Sequence, residues 1–247
     1  MKRVIDFHTH LGKDKDGIEL NKEDLIKLME EFNISESVVF PFNEFNSVEE
    51  ESMKLKMDIV NEPFYPFFRF DPKKITDEYL REKLNDFYGV KLHPRSQEFD
   101  PLNQKYFSLY EIIEEKEKPL LFHTRYESLD GIKGTVNPNS NPDRIIQLAK
   151  YFPKLNLVLG HFANFSSYVI QEMKNHKNVY LETSILGSTP RAIESVSKEI
   201  GSDRIIFGSD APFSNPGIER LNIDYSNIKQ IDKEKIFFYN AEKLLKL

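Results

Sequence analysis

Eight short apolar segments alternate with stretches of helical periodicity along this 247-residue chain. Each segment has the length of a buried strand, and a helix between consecutive strands is the usual connection in a parallel sheet. Eight such units close a (β/α)8 TIM barrel, and the chain has a typical length for one. We therefore predict an α/β fold with a single domain over residues 1–247. The predicted strands are Arg3–Thr9, Glu36–Pro41, Phe64–Phe70, Val90–His93, Leu120–Thr124, Leu155–Gly160, Val179–Thr183 and Arg204–Gly208.

Two of the connecting segments, Lys22–Phe32 and Gln104–Glu117, show the spaced apolar positions of amphipathic helices. Asn21 is a suitable N-cap for the first of them, because acidic residues follow it in the first turn. The longest irregular stretch, Glu127–Asp143, follows the fifth strand, and long loops of this kind often act as lids. Together with Gly12–Leu20 and Pro212–Asn222, it is expected to determine substrate specificity.

The composition excludes several classes of protein. The chain contains no cysteine, so disulfides, thiolate nucleophiles and zinc–thiolate sites are excluded. No apolar run approaches the roughly 18 residues of a membrane span. The net charge of −6 argues against nucleic acid as a partner. The N-terminal residues show no signal region, so we expect a cytoplasmic protein. The sequence leaves the oligomeric state open, and a homo-oligomer is compatible with it.

Five of the six histidines stand at or near the C-terminal ends of predicted strands, where barrel enzymes build their active sites. These five are His8, His10, His93, His123 and His161. The sixth, His176, is expected on the surface.

His8 and His10 lie two residues apart on the first strand, so both imidazoles point to the same side and can reach one ion. Alone, such a pair also fits two polar residues that close a strand. Asp6 shares their parity, and it either orients an imidazole or lies beneath the site as a buried, hydrogen-bonded acid.

Three further strand ends carry possible ligands, namely His123, His161 and Asp210. Convergence of these side chains with the His-x-His pair at one barrel mouth would bring imidazoles and a carboxylate around a single ion. Because nitrogen and oxygen ligands without sulfur suit Zn²⁺ as well as Mn²⁺, Fe²⁺ or Co²⁺, we expect a divalent metal, with zinc as first choice. An open coordination position would hold an activated water.

The chain resembles the amidohydrolase superfamily, and within it the amidohydrolase-related branch that includes aminocarboxymuconate-semialdehyde decarboxylase-like enzymes. The resemblance covers essentially the whole chain. One departure is that Gly160–Asn164 lacks the glycine pair often seen after the histidine at this strand end. The motifs that carry the resemblance are Ile5–His10, Gly89–Pro94, Phe122–His123, Gly160–His161, Phe207–Pro212 and Asn240–Leu245.

The resemblance implies that one metal ion is held by His8, His10, His123 and Asp210. It also implies that His161 lies beside the metal as an acid/base or substrate-polarising group. In hydrolytic members Asp210 would in addition accept a proton from metal-bound water, whereas in decarboxylases it would be mainly a ligand, and the sequence leaves both open. For Lys91, two interpretations stay open. The branch implies an uncarboxylated lysine beside a single ion, whereas binuclear members of the superfamily have a carboxylated lysine that bridges two ions, with His161 then binding the second.

Lys91, His93 and Arg95 alternate on the fourth strand and should face the same way, and Arg125 shares the parity of His123. These residues would make the pocket locally basic, which predicts a small anionic, carboxylated substrate. The arginines could equally pair with acidic residues of neighbouring loops. His93 is either a pocket residue or a histidine satisfied by the backbone.

Two other groups are interpreted as unrelated to chemistry. Glu182 and Ser184, at the end of the seventh strand, share a parity and either could reach the pocket, but solvated rim residues are the preferred interpretation. The aromatic-rich segment Phe64–Phe70 is interpreted as core.

Hydrolysis of an amide, lactone or ester by a metal-activated water is the first expectation for function. Non-oxidative decarboxylation on the same scaffold is the main alternative. A TatD-like nuclease is less favoured, because Lys91 or His93 stands where such enzymes need a glutamate. A catalytically silent metal-binding barrel is disfavoured by the full set of candidate ligands.

Overall fold

The computed structural model describes residues 3–42, 47–126, 138–186 and 191–247. Within these ranges, nine strands form one sheet, in the order β2-β1-β3-β4-β5-β6-β7-β8-β9. The strands are β1 (Ile5–Lys13), β2 (Glu19–Leu20), β3 (Glu36–Pro41), β4 (Phe64–Arg69), β5 (Gly89–Leu92), β6 (Leu120–Phe122), β7 (Leu157–Leu159), β8 (Val179–Glu182) and β9 (Ile205–Ile206).

The sheet is closed by hydrogen bonds between β1 and the segment that follows β9. Asp210 N donates to His8 O at 2.7 Å, and His10 N donates to Ala211 O at 2.8 Å. Thr9 and Ala211 form a parallel bridge between these bonds. All other neighbouring pairs from β1 and β3 onward are parallel as well. The predicted (β/α)8 TIM barrel is therefore confirmed.

The strands differ from the prediction in two respects. The segment predicted as a loop after β1 contains β2, which pairs antiparallel with the end of β1 as a hairpin outside the barrel. The later strands are shorter than predicted. β6 ends at Phe122 and not at Thr124, and β7 spans Leu157–Leu159 and not Leu155–Gly160. After β7, the chain turns into a left-handed conformation, with φ between 46° and 57° from His161 to Phe165, and leaves the sheet.

Eleven α-helices lie in the described ranges. Asn21 caps α1 as predicted, since its side chain accepts a hydrogen bond from Asp24 N. The predicted helix Gln104–Glu117 begins as a 3-10 turn at Gln104–Tyr106 and continues as α4. The helices are α1 (Lys22–Glu31), α2 (Val48–Asp58), α3 (Asp77–Lys83), α4 (Phe107–Glu115), α5 (Pro142–Ile145), α6 (Leu148–Tyr151), α7 (Ser167–Asn175), α8 (Ala192–Ile200), α9 (Pro216–Asp224), α10 (Gln230–Glu234) and α11 (Asn240–Leu245). None of them is both long and apolar enough to cross a membrane.

One buried apolar cluster fills the barrel interior, and a second, larger one lies between the strands and the surrounding helices. The inner cluster includes Phe7, Phe40 and Phe67. Gly89 makes room for the Phe67 ring, because a Cβ atom at residue 89 would lie only 2.4 Å from Phe67 Cζ. These side chains form a rigid floor, so the residues at the C-terminal strand ends above it are held in fixed positions.

Candidate active site at the barrel mouth

A cavity of about 600 Å³ opens at the C-terminal ends of the barrel strands. His8 is fully buried and lies beneath the cavity rather than on its wall. The structure thus brings together residues that are distant in the sequence, as the strand-end pattern predicts. The predicted site residues that line the cavity are His10, Lys91, His93, Arg95, His123, Arg125, His161 and Asp210.

His8, His10 and Asp210 form the centre of the site. Asp210 Oδ1 lies 3.0 Å from His8 Nε2 and 3.1 Å from His10 Nε2. The three ligand atoms are within 4.8 Å of one another, close enough for one cation to contact all of them. His8 and His10 alternate on β1, and the hydrogen bond from Asp210 N to His8 O places Asp210 directly opposite them.

Burial and mutual attraction shape the charges in this group. Burial alone would raise the pKa of Asp210, but the imidazoles of His8 and His10 hold that pKa well below its usual range. Burial lowers the pKa of His10 to about 3. Two effects lower the pKa of His8, namely burial and the nearby Lys91 ammonium. The negative charges of Asp210 and Glu182 have a larger effect in the opposite direction, so the pKa of His8 is raised overall. The centre thus combines an ionised carboxylate with a neutral imidazole.

Asp6 lies under this group and is almost fully buried. Its Oδ1 accepts hydrogen bonds from His8 N at 3.1 Å and from Ser209 N at 2.9 Å. Burial raises the pKa of Asp6 to about 7. Asp6 therefore corresponds to the second of the two roles considered above, a buried acid beneath the site, and it joins β1 to the segment after β9.

His123 and His161 contact each other beside the central group, where the His161 ring centroid lies 5.3 Å from that of His8 and His161 forms a second group of possible ligands with His8 and Glu182. His161 Nε2 is 2.9 Å from His123 Nδ1, and the His123 ring stacks on His93 with 3.7 Å between centroids. The ligand atoms of His123 are not part of the group formed by His8, His10 and Asp210. Its role as the fourth metal ligand therefore stays a prediction.

Both of the roles considered for His93 are present in the structure. Its Nδ1 accepts a hydrogen bond from Ser96 N at 3.2 Å, so the backbone satisfies the ring. The same ring also lines the cavity. Burial lowers the pKa of His93 and of His123 well below the usual value, so both rings are neutral.

Glu182 and Ser184 are fully buried, so their interpretation as solvated rim residues is wrong. Glu182 Oε2 lies 2.7 Å from His8 Nδ1, and Ser184 Oγ lies 2.8 Å from His161 Nδ1. A carboxylate at the end of a buried strand is the signal that identified Asp210, and the same signal at the end of β8 could have identified Glu182.

Two buried cations lie at the cavity wall beside the histidines. Lys91 Nζ is 2.9 Å from His8 Nε2, and burial lowers the pKa of Lys91 to about 7. Arg69, at the end of β4, is only 2% exposed and donates to Pro41 O at 2.9 Å. From the sequence, Phe64–Phe70 is interpreted as part of the core. This is correct for the aromatic residues but not for Arg69, which lines the cavity.

Arg95 and Arg125 are exposed at the cavity mouth. Their backbones are tied to one residue, because Arg95 N donates to Ser140 Oγ at 3.1 Å and Arg125 N donates to Ser140 O at 2.8 Å. The predicted lid loop Glu127–Asp143 is described only from residue 138 onward, and residues 127–137 lie outside the described ranges. Both arginines stand where they can meet an anion that enters the cavity.

A larger groove of about 840 Å³ lies next to this cavity, at the N-terminal ends of α2 and α3 and beside the segments that follow β4 and β5. It contains none of the histidines, and its acidic and basic residues include Glu49 and Lys73. We assign the active site to the smaller cavity, because the convergent imidazoles and the ionised carboxylate are there.

The donor atoms of the central group fit a divalent cation. They comprise two imidazole nitrogens and one carboxylate oxygen, which is the nitrogen and oxygen chemistry of Zn²⁺ and Mn²⁺ sites. His10 Nδ1 is a buried polar atom without a hydrogen-bond partner among the described residues, so the ring is not yet fully satisfied. His123, which also lines the cavity, is the predicted fourth ligand.

Removal of a bound cation with a chelator should lower the Tm. A ligand at 100 times its Kd that binds only the folded state adds about 2.7 kcal/mol, which corresponds to a Tm change of roughly 5 to 10 °C for a chain of this size. Differential scanning fluorimetry before chelation, after it and after addition of Mn²⁺ or Zn²⁺ measures this. An unchanged Tm throughout would contradict metal binding.

A closed barrel whose mouth gathers imidazoles around an ionised carboxylate defines a metal-dependent barrel enzyme of the amidohydrolase type. The sequence matches the Amidohydro_2 family (Amidohydrolase) over residues 5–247, and the chain belongs to this family. The resemblance seen in the sequence is thereby confirmed.

The similar proteins include several decarboxylases. The chain is 25% identical over 222 residues to the γ-resorcylate decarboxylase of a Rhizobium species, covering 72% of this chain and 67% of that enzyme. The dihydroxybenzoic acid decarboxylase of a Polaromonas species, with bound manganese and the inhibitor 2-nitroresorcinol, has a TM-score of 0.80 at 18% identity, covering 100% and 98% of the two chains. The 5-carboxyvanillate decarboxylase of Sphingomonas paucimobilis has a TM-score of 0.79 at 12% identity, with both chains fully covered.

Proposed function

We propose that this enzyme is a metal-dependent, non-oxidative decarboxylase of a small hydroxylated aromatic carboxylate. The observation that carries the proposal is the similarity to γ-resorcylate decarboxylases over 72% of the chain. Decarboxylation is the alternative in the sequence analysis, and it is better supported than hydrolysis, the first expectation there. Manganese is the first metal to test, because the Polaromonas structure contains it, and zinc is the second.

The charges of the cavity support a carboxylated substrate. Lys91 and Arg69 place buried positive charge at the wall, and Arg95 and Arg125 place it at the mouth. Arginine pairs with carboxylates through two parallel hydrogen bonds, which would orient a planar aromatic acid. These cations would attract the substrate even though the chain as a whole has a net charge of −6.

The metal ligands in this proposal are His8, His10, His123 and Asp210. The bound cation supplies electrophilic attraction for substrate oxygens. The apolar rings of Phe42 and Phe213, which contact each other and His10, form a wall suited to an aromatic ring. Ring packing and ion pairing together would position the substrate above His161.

In the reaction, the bond between the ring carbon and the carboxyl carbon breaks, and its electron pair remains on the ring carbon. A proton takes the place of the carboxyl group, and CO₂ leaves. His161 is the proposed proton carrier, because its ring lines the cavity and is held by Ser184. Burial lowers the pKa of His161 to about 4, so the resting ring is neutral and can both take up and release a proton.

The decarboxylase proposal predicts CO₂ release from 2,6-dihydroxybenzoate or 5-carboxyvanillate by the protein loaded with Mn²⁺ or Zn²⁺. We expect His161→Asn to lower turnover by about 100-fold or more, since general acid–base catalysis typically contributes that much. His176→Asn is the matched control, because His176 lies at the end of α7, away from the cavity. The measurements are CO₂ release and loss of substrate absorbance.

A parallel panel of lactones, esters and amides tests the rival reaction. Hydrolysis of any of these at a higher kcat/KM than that of every carboxylate, without CO₂ release, would overturn the proposal in favour of the hydrolase.

A further inference from the structure

Glu182 accepts four hydrogen bonds at the centre of the site. Its Oε2 atom accepts from His8 Nδ1 at 2.7 Å, from Ser184 Oγ at 2.8 Å and from His161 N at 3.3 Å. Its Oε1 atom accepts from Ser184 N at 2.6 Å. The side chain is fully buried, so protein groups take the place of water around this carboxylate.

These contacts determine which nitrogen of His8 carries a hydrogen. An ionised carboxylate has only acceptor positions, so His8 Nδ1 must donate to it. In the neutral ring, the other nitrogen, Nε2, then keeps its lone pair and can accept a hydrogen bond from Lys91 Nζ, 2.9 Å away. Asp210 Oδ1 lies 3.0 Å from the same nitrogen, so two lone pairs face each other there, and a cation bound by both atoms would remove their repulsion.

The same reasoning extends through Ser184 to His161 and His123. The Ser184 hydroxyl donates to Glu182, so its oxygen is available to accept from His161 Nδ1. His161 Nε2 can then accept from His123 Nδ1, 2.9 Å away. This leaves the lone pair of His123 on Nε2. One buried carboxylate thereby sets the hydrogen positions of three imidazoles.

One glycine leaves room for Glu182. A Cβ atom at Gly208 would stand 2.1 Å from Glu182 Oε1 and 2.6 Å from Glu182 Cδ. Gly208 comes two residues before Asp210. The segment that carries Asp210 is therefore shaped around this carboxylate.

We propose that Glu182 is a positioning residue that holds His8 with hydrogen on Nδ1 and a lone pair on Nε2, and that through Ser184 it does the same for His161. The proposal rests on the metal site of the proposed function but not on the reaction catalysed there. Carboxylates that orient metal-bound histidines in this way typically contribute 10- to 100-fold to metal affinity.

Glu182→Gln is the main test. The amide must turn its NH₂ group either toward the Ser184 backbone N–H or toward the three donors at the Oε2 position, so one pair of donors will face each other. When the NH₂ group is at the Oε2 position, a change of His8 to its other tautomer would relieve the conflict with His8. Nδ1 would then accept a hydrogen bond from the amide, and Nε2 would carry the hydrogen. The lone pair that faces the ligand group would be lost.

We expect Glu182→Gln to bind Mn²⁺ or Zn²⁺ about 10- to 100-fold more weakly than the unaltered protein in calorimetric titrations. Glu219→Gln is the matched control, because Glu219 is equally buried but accepts from Leu186 N and Ser214 Oγ. Its affinity should stay within about threefold. Binding by Glu182→Gln within the same threefold range would overturn the proposal.

The tautomers are measured directly by ¹⁵N chemical shifts of the histidine rings in the metal-free protein, which needs neither substrate nor turnover. The expected result for the neutral ring is hydrogen on His8 Nδ1. Ser184→Ala should change the His161 signals and leave those of His8 in place. Hydrogen on His8 Nε2 alone in the unaltered protein would overturn the proposal, even if Glu182→Gln fails to fold.

This measurement also separates the proposal from the proposed function. An unaltered protein with the expected His8 tautomer that decarboxylates nothing would contradict the reaction and leave the role of Glu182 standing. The reverse result, decarboxylation with the opposite tautomer, would contradict only the role of Glu182.

Discussion

Asp210→Asn should lower turnover by about a thousandfold or more while the barrel stays folded. Asp210 contributes an ionised oxygen within 3.1 Å of both histidines of β1, and asparagine keeps the volume but removes the charge. Loss of the cation removes several kcal/mol of stabilisation from the transition state, and each 1.4 kcal/mol or so is a factor of ten. Metal analysis, circular dichroism and steady-state kinetics together measure the effect.

His10→Ala should behave in the same way, because it removes another member of the central group. Asp203→Asn is the control, since Asp203 is exposed and pairs with Lys235 on the surface. Full activity in either Asp210→Asn or His10→Ala would show that the metal ligands have been assigned to the wrong residues. Loss of the folded circular dichroism spectrum would instead show a structural effect.

Gly208→Ala should weaken metal binding by about 10- to 100-fold, and overpacking should lower the free energy of unfolding by about 1 to 3 kcal/mol. The added methyl group would overlap Glu182, with only 2.1 Å from Cβ to Oε1. The carboxylate must move, and it takes with it the acceptor that faces His8. Calorimetric metal titration and urea unfolding measure the two effects.

The matched control is Gly217→Ala, at the start of α9. A Cβ atom there would lie 2.4 Å from the Phe32 ring, so the steric overlap is similar but far from the imidazoles. We expect a comparable loss of stability and unchanged metal affinity. Equal losses of affinity in both variants would mean that general destabilisation, and not displacement of Glu182, weakens the site.

The architecture could be predicted from the sequence because buried parallel strands leave a strong signal. The strand Glu36–Pro41 contains the continuous apolar run Val38–Pro41, and its observed bounds equal the predicted ones. The position at which each strand ends was harder to predict, because the run of apolar residues continues past the last hydrogen bond of the sheet. The short hairpin strand β2 has only two residues and no apolar alternation to reveal it.

The site could be predicted in part for a related reason. Histidines and an aspartate at strand ends are rare in apolar surroundings, so His8, His10, His123 and Asp210 were conspicuous. Glu182 ends a buried strand in the same way, but Thr183 and Ser184 follow it, so the sequence fits a polar loop equally well. The structure decides between the two, because Glu182 is fully buried.

Arg69 illustrates a second limit. It stands among five aromatic residues of the segment Phe64–Phe70, and that density indicates core packing. The parity of a strand end predicts the face on which a side chain lies, but not whether a long side chain reaches the cavity. Its contact with Pro41 O depends on the neighbouring strand, which no local pattern encodes.

The pairing of β1 with the segment after β9, which closes the sheet, also determines when the metal site can form during synthesis and folding. His10 and Asp210 are 200 residues apart in the chain, yet they meet where the first strand pairs with the segment after the last. A nascent polypeptide that has emerged from the ribosome only as far as β8 possesses the His-x-His pair but lacks the carboxylate opposite it. The metal ion is therefore expected to bind only after the segment that follows β9 has paired with β1. Once bound, the ion should stabilise this pairing, because its ligands come from both segments.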